Sequence, residues 1–120
     1  MGRLVFLVPL LAAAGLGGAA EAHAFLRSAS PRVGAQLAAA PRALRLSFSE
    51  PVEAGLSRIT VSGPPGFSGA GAVRAAADDP AALVAPLPGA MPTGRYLVQW
   101  RVISADSHPT QGRFQFEVRP

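Results

Sequence analysis

The sequence predicts an all-β domain, a β-sandwich or Greek-key barrel, running from residue 23 to residue 120 behind a cleaved leader at residues 1–22. Three observations predict it. Leu44-Arg45-Leu46-Ser47-Phe48 and Phe114-Gln115-Phe116-Glu117-Val118 alternate apolar and polar residues with the period of a half-buried strand. Arg95 to Ile103 is a longer strand with Tyr96, Val98, Trp100 and Val102 on one face and Leu97, Gln99, Arg101 and Ile103 on the other. Turn formers punctuate these runs, as in Pro31-Arg32-Val33-Gly34, Gly63-Pro64-Pro65-Gly66 and Pro92-Thr93-Gly94. Short strands at such spacing suit two packed sheets.

Along the chain, Arg3 followed by apolar Leu4 to Leu16 and small residues up to Ala22 reads as a secretory signal peptide. The apolar run from Leu4 to Ala20 is 17 residues broken by three glycines, short for a membrane span, and a processing site follows at once. Ala35 to Ala40 is expected to hold a helical turn that Pro41 stops. Leu44–Phe48 and Ser57–Val61 are strands, and residues 62–80, rich in Gly, Ala and Pro, form a long loop with at most a short strand near Val73. Leu83–Leu87 is a weaker strand, because Pro86 confines it to an edge or a bulge. Asp106 to Pro109 follows the long strand and precedes one starting near Arg113, which puts it at a strand end or in a connecting loop. There is no internal repeat and no linker, so residues 23–120 form one domain.

Composition narrows the function. No cysteine is present, so the exported domain relies on its core rather than on disulfides, and any metal site is built from nitrogen and oxygen. All 11 basic residues are arginines. Residues 23–120 keep 10 of them against 6 acids, and Arg27, Arg32, Arg42, Arg45, Arg58 and the rest are scattered singly. With neither a cluster nor interleaved aromatics, they suit a solvated sheet surface rather than nucleic acid.

The chemistry concentrates at two histidines. Ala20-Glu21-Ala22 is an A-x-A cleavage site, and processing there makes His23 the first residue, with a free α-amine beside its imidazole. The amine and Nδ1 of one N-terminal histidine can chelate one metal ion. Asp106-Ser107-His108-Pro109 supplies a carboxylate and the only other imidazole, and in extended backbone the i, i+2 spacing would put both side chains on one face. His23, Asp106 and His108 together make the N,O set that tetragonal Cu(II) prefers. Glu50 follows a strand and precedes Pro51; it could ligate weakly, orient a ligating imidazole, or face solvent.

Three stretches carry a family resemblance: His23 to Gly34 (HAFLRSASPRVG), Leu46 to Val52 (LSFSEPV) and Gly94 to Gly112 (GRYLVQWRVISADSHPTQG). In order and spacing they resemble the CopC family of periplasmic copper-resistance proteins, most specifically in the W-R-V-x-S-x-D-x-H-P block from Trp100. The resemblance implies an immunoglobulin-like or cupredoxin-like β-sandwich and a single mononuclear Cu(II) site at His23, Asp106 and His108, with Glu50 beside the copper. It also implies a periplasmic protein that sequesters Cu(II) or delivers it to an inner-membrane CopD-type transporter, with no small-molecule substrate. Some members bind Cu(I) through a methionine-rich loop; Ser57 to Ala90 holds neither Met nor His, so no Cu(I) site is expected.

Two other readings compete. Lytic polysaccharide monooxygenases also use an N-terminal histidine chelate, but they need an open coordination position and a flat aromatic substrate face. The single Trp and single Tyr here both lie in a strand that reads as core, so a non-enzymatic role is expected. A metal-free immunoglobulin-like assembly module would leave both histidines without a purpose.

Overall fold

The computed structural model describes residues 24–120; the expected leader at 1–22 and His23 lie outside the described residues. Eight strands follow in order: β1 (Leu26–Ser30), β2 (Gln36–Leu37), β3 (Ala43–Phe48), β4 (Arg58–Ser62), β5 (Arg74–Ala76), β6 (Asp79–Pro86), β7 (Gly94–Ile103) and β8 (Pro109–Val118), with a 3-10 turn at Ala54–Leu56 before β4. They form two four-stranded sheets, β1-β3-β6-β5 and β2-β8-β7-β4. The chain crosses repeatedly from one sheet to the other, so the two close on each other as the expected sandwich. Every pairing is antiparallel except β2 with β8.

Alternation puts the core where the sequence predicts it. Leu44, Leu46 and Phe48 of β3 and Leu83 of β6 face Tyr96, Val98 and Val102 of β7 and Phe114, Phe116 and Val118 of β8, all buried. Tyr96 stacks on Phe116 with ring centroids 5.3 Å apart, meets Phe67 edge-on at 5.0 Å, and donates its hydroxyl hydrogen to the Pro92 carbonyl at 2.5 Å. This resembles the tyrosine corner of Greek-key sandwiches.

Trp100 is half-buried, edge-on to Phe48 at 5.2 Å, and lies across Gly112 of β8. A Cβ added at Gly112 would fall 2.5 Å from Cζ2 of that ring. Gly112→Ala is therefore expected to push the indole aside, costing roughly 1–3 kcal/mol in chemical unfolding. Trp100 is the sole tryptophan, so its emission should shift in the folded variant. Unchanged emission and stability would show that the indole does not rest on this glycine.

Three local expectations are corrected. Gln36–Leu37 is a parallel edge strand rather than a helical turn, because main-chain bonds from Glu117 N to Ala35 O (2.8 Å) and from Arg119 N to Leu37 O (2.7 Å) bind this stretch along β8. Strand β6 lies inside its sheet and not at an edge; Pro86 is tolerated because it is the last residue of the strand, opposite Ala43. Between Asp106 and His108 the backbone is not extended, since Ser107 has φ +73°. Strand β1, unassigned in the sequence, is held by backbone pairing to β3.

Candidate metal centre

Connections between β3 and β4, β5 and β6, and β7 and β8 all emerge at one end of the sandwich, where β1 also begins. Five of the six described carboxylates sit in or at the edge of these connections: Glu50, Glu53, Asp78, Asp79 and Asp106. Arg45 bridges Asp78 at 3.0 Å, and none of the other four has an arginine partner among the described residues.

The β7–β8 connection is built around Ser104, the one buried polar residue among those described. It continues the inward face of Tyr96, Val98, Trp100 and Val102, so the strand pleat alone turns it toward the core. Its backbone N–H donates to the His108 carbonyl at 3.0 Å, its Oγ accepts from the His108 N–H at 3.2 Å, and its carbonyl accepts from the Ser107 N–H at 2.8 Å. The Ser104 hydroxyl also bonds Asp106 Oδ1. The left-handed Ser107 closes the turn, and Asp106 Oδ2 comes to lie 3.2 Å from His108 Nδ1. Two cis donors at metal–ligand distances near 2.0–2.1 Å stand about 2.9 Å apart. The contact brings the carboxylate and the imidazole together on one turn, where both could reach a single ion.

The Ser104 hydroxyl, and after it the His108 imidazole, hold the Asp106 carboxyl below its ordinary 3.8. A depressed carboxyl stabilises the fold above its unfolded value, and the contribution is lost as pH falls through the folded value. Ser104→Ala is expected to move the Asp106 midpoint up toward 3.8 in a carbon-13 carboxyl titration. An unmoved midpoint would remove the hydroxyl as the cause.

The β3–β4 connection is tied against this turn. Ala105 N donates to Pro51 O at 2.9 Å, Val52 bridges Ser104, and Glu53 N donates to Ile103 O at 2.8 Å. Glu50 precedes that contact and is half-buried, but among the described residues no three His, Asp or Glu side chains converge into a metal-binding group. Asp106 and His108 meet; Glu50 does not join them. On the other flank Thr110 Oγ1 donates to the carbonyl of Ala24 at 2.8 Å, and Ala24 is fully buried. The start of the described chain is therefore fastened two residues beyond His108.

Ser104 and Thr110 were not foreseen as part of the site. Their signal was parity: both are small polar residues on an inward face that is otherwise apolar.

Residues 26–119 match the CopC domain model. The chain belongs to the CopC family. It is 33% identical over 112 residues to copper resistance protein C of Escherichia coli, covering 88% of each chain. The crystal structure of CopC from Methylosinus trichosporium OB3b superposes with a TM-score of 0.73 at 33% identity, covering 82% of this chain and 95% of that one. A third match is partial on the other side: copper transport protein CutJ of Bacillus subtilis is 30% identical over 98 residues, which span 81% of this chain and only 18% of CutJ. These relatives are named for copper resistance or copper transport, and none for an enzymatic reaction. Among the described residues no helix is long and apolar enough to cross a membrane.

Proposed function

We propose that this CopC-family chain is an exported, periplasmic Cu(II)-binding protein that sequesters one ion or hands it to a membrane copper transporter. Its ligands are the α-amine and imidazole of a processed His23, the Asp106 carboxylate and the His108 imidazole; Glu50, which does not meet that pair, is left out of the set. The observation that carries this reading is the bond from Thr110 Oγ1 to Ala24 O. His23 is joined directly to Ala24, and that bond fastens Ala24 to the strand that starts one residue after His108.

Copper is cargo here, and the donor set suits it. An amine, two imidazoles and a carboxylate provide the nitrogen and oxygen ligands of tetragonal Cu(II) and no thiolate. The surrounding carboxylates raise the local cation concentration. Cleavage is the switch: in the precursor the His23 nitrogen is an amide without a basic lone pair. The ligands must also be deprotonated, so acid competes with copper. Handing-on to a CopD-type transporter is supported by CutJ, in which a segment like this chain is joined to a much longer copper transport protein.

Electron paramagnetic resonance during Cu(II) titration tests the site on two forms, one beginning at His23 and one keeping a single residue before it. Tight 1:1 binding with a tetragonal, nitrogen-rich spectrum only in the first form is the expected result. Equal weak binding by both would overturn the processed-terminus chelate.

A further inference from the structure

The arginines that are scattered along the sequence are not all scattered on the surface. Strand register sets Arg58 of β4 directly opposite Arg101 of β7, and Arg101 opposite Gln111 of β8; the adjoining row is Thr60, Gln99 and Arg113. All six point away from the core and, with Trp100 and Gly112 at the floor, line an open groove of about 490 Å³. No carboxylate lines it. Arg45, Arg95 and Arg119 each have an acidic partner, whereas Arg58, Arg101 and Arg113, like Arg27, Arg32, Arg42 and Arg74, have none among the described residues; what sets the three apart is that they share one groove. Like charges facing each other across a strand pair destabilise a sheet. An anion lying over the facing pair would offset that repulsion.

We propose that this outer face of the β2-β8-β7-β4 sheet is a docking surface for an extended acidic segment of a partner protein. Same-face side chains recur at roughly 6.6–6.8 Å along a strand. An extended segment with acids at alternate positions repeats at that same interval, so its carboxylates meet guanidinium forks that bind them in two-pronged fashion. Gln99, Gln111 and Thr60 supply neutral donors and acceptors for the segment's main chain. A lipid surface fits less well. The only large apolar side chain of the lining is Trp100, which lies on the inward face, so nothing is offered to insert among acyl chains. Single-stranded nucleic acid fits less well for the same reason, because it stacks its bases on outward-facing aromatics. Arg101 lies three residues before Ser104, so a docked segment borders the Asp106–His108 turn without containing it. The inference stands whether or not that turn binds copper.

The test uses a fluorescein-labelled peptide of alternating glutamate and serine, titrated with the exported chain at low and at physiological salt. Fluorescence anisotropy reads the binding. The Arg58→Gln/Arg101→Gln/Arg113→Gln variant is expected to bind roughly tenfold or more weakly. Its thermal midpoint should be no lower than that of the parent chain, and its Cu(II) titration unchanged. A control with the same charge loss elsewhere, Arg27→Gln/Arg32→Gln/Arg42→Gln, should stay within about twofold of the parent, because those exposed arginines do not line the groove. Equal losses in both variants would reduce the effect to net charge and overturn the docking surface. Binding to phosphatidylglycerol vesicles but not to the peptide would make it a membrane face instead. Absence of peptide binding by the parent chain would also overturn it.

Discussion

Replacing His108 with alanine is expected to lower Cu(II) affinity at least roughly a hundredfold, because losing even an outer partner of a metal-bound histidine costs up to that much. The fold should hardly notice. The imidazole is about half exposed, with 52% of its side-chain surface open, and its contact with Asp106 is a surface one of the kind that adds little. The turn itself is closed by bonds that alanine keeps: Ser104 N to His108 O, His108 N to Ser104 Oγ, and Ser107 N to Ser104 O. A competition titration against a Cu(II) chelator at fixed pH measures the first effect, and thermal unfolding with and without copper measures the second. Copper should raise the unfolding midpoint of the parent chain by mass action and leave that of the variant nearly unmoved. Parent-like copper affinity in the variant would sink the proposed site.

That separation between site and core explains what was legible in the sequence. Strand β7 could be read because its ten residues alternate over a full strand length, and β3, β4 and the end of β8 for the same reason. Strand β1 could not: Leu26-Arg27-Ser28-Ala29-Ser30 has one large apolar residue, and its state is set by backbone pairing to β3. Strand β2 is two residues long, and its parallel pairing is decided by β8, far away in the chain. At the site, Asp106 and His108 stood out as residue types, but the manner of their meeting did not. Bringing them to 3.2 Å takes a left-handed backbone at Ser107, which a serine does not advertise, and a buried Ser104 to hold the loop. The convergence of Arg58 and Arg101 is likewise a property of register, which sequence spacing does not encode.

The largest effect on stability is expected at Tyr96, and two substitutions divide it. Its ring is fully buried between Phe116, stacked at 5.3 Å, and Phe67, edge-on at 5.0 Å, and it passes so close to Gly63 that a Cβ there would overlap the ring. Little room exists for neighbours to collapse into the space that Tyr96→Ala would leave. The cost should be about 3–5 kcal/mol, as for other large aromatic truncations in close-packed cores. In a domain of this size that lowers the thermal midpoint by at least roughly 12 °C. Tyr96→Phe keeps the packing and removes only the bond to the Pro92 carbonyl, so it should cost about 1 kcal/mol. The phenol also sets an alkaline limit. Burial raises its pKa above the ordinary 10.0, so the fold favours the neutral form. That contribution is fully present below pH 10.0 and is lost as pH rises through the folded value. Tyr96→Phe should therefore unfold less steeply than the parent chain above that pH in denaturant titrations at stepped pH. Equal alkaline slopes for the two proteins would mean that the buried hydroxyl is not what titrates, and an alanine variant as stable as the phenylalanine one would remove Tyr96 from the centre of the core.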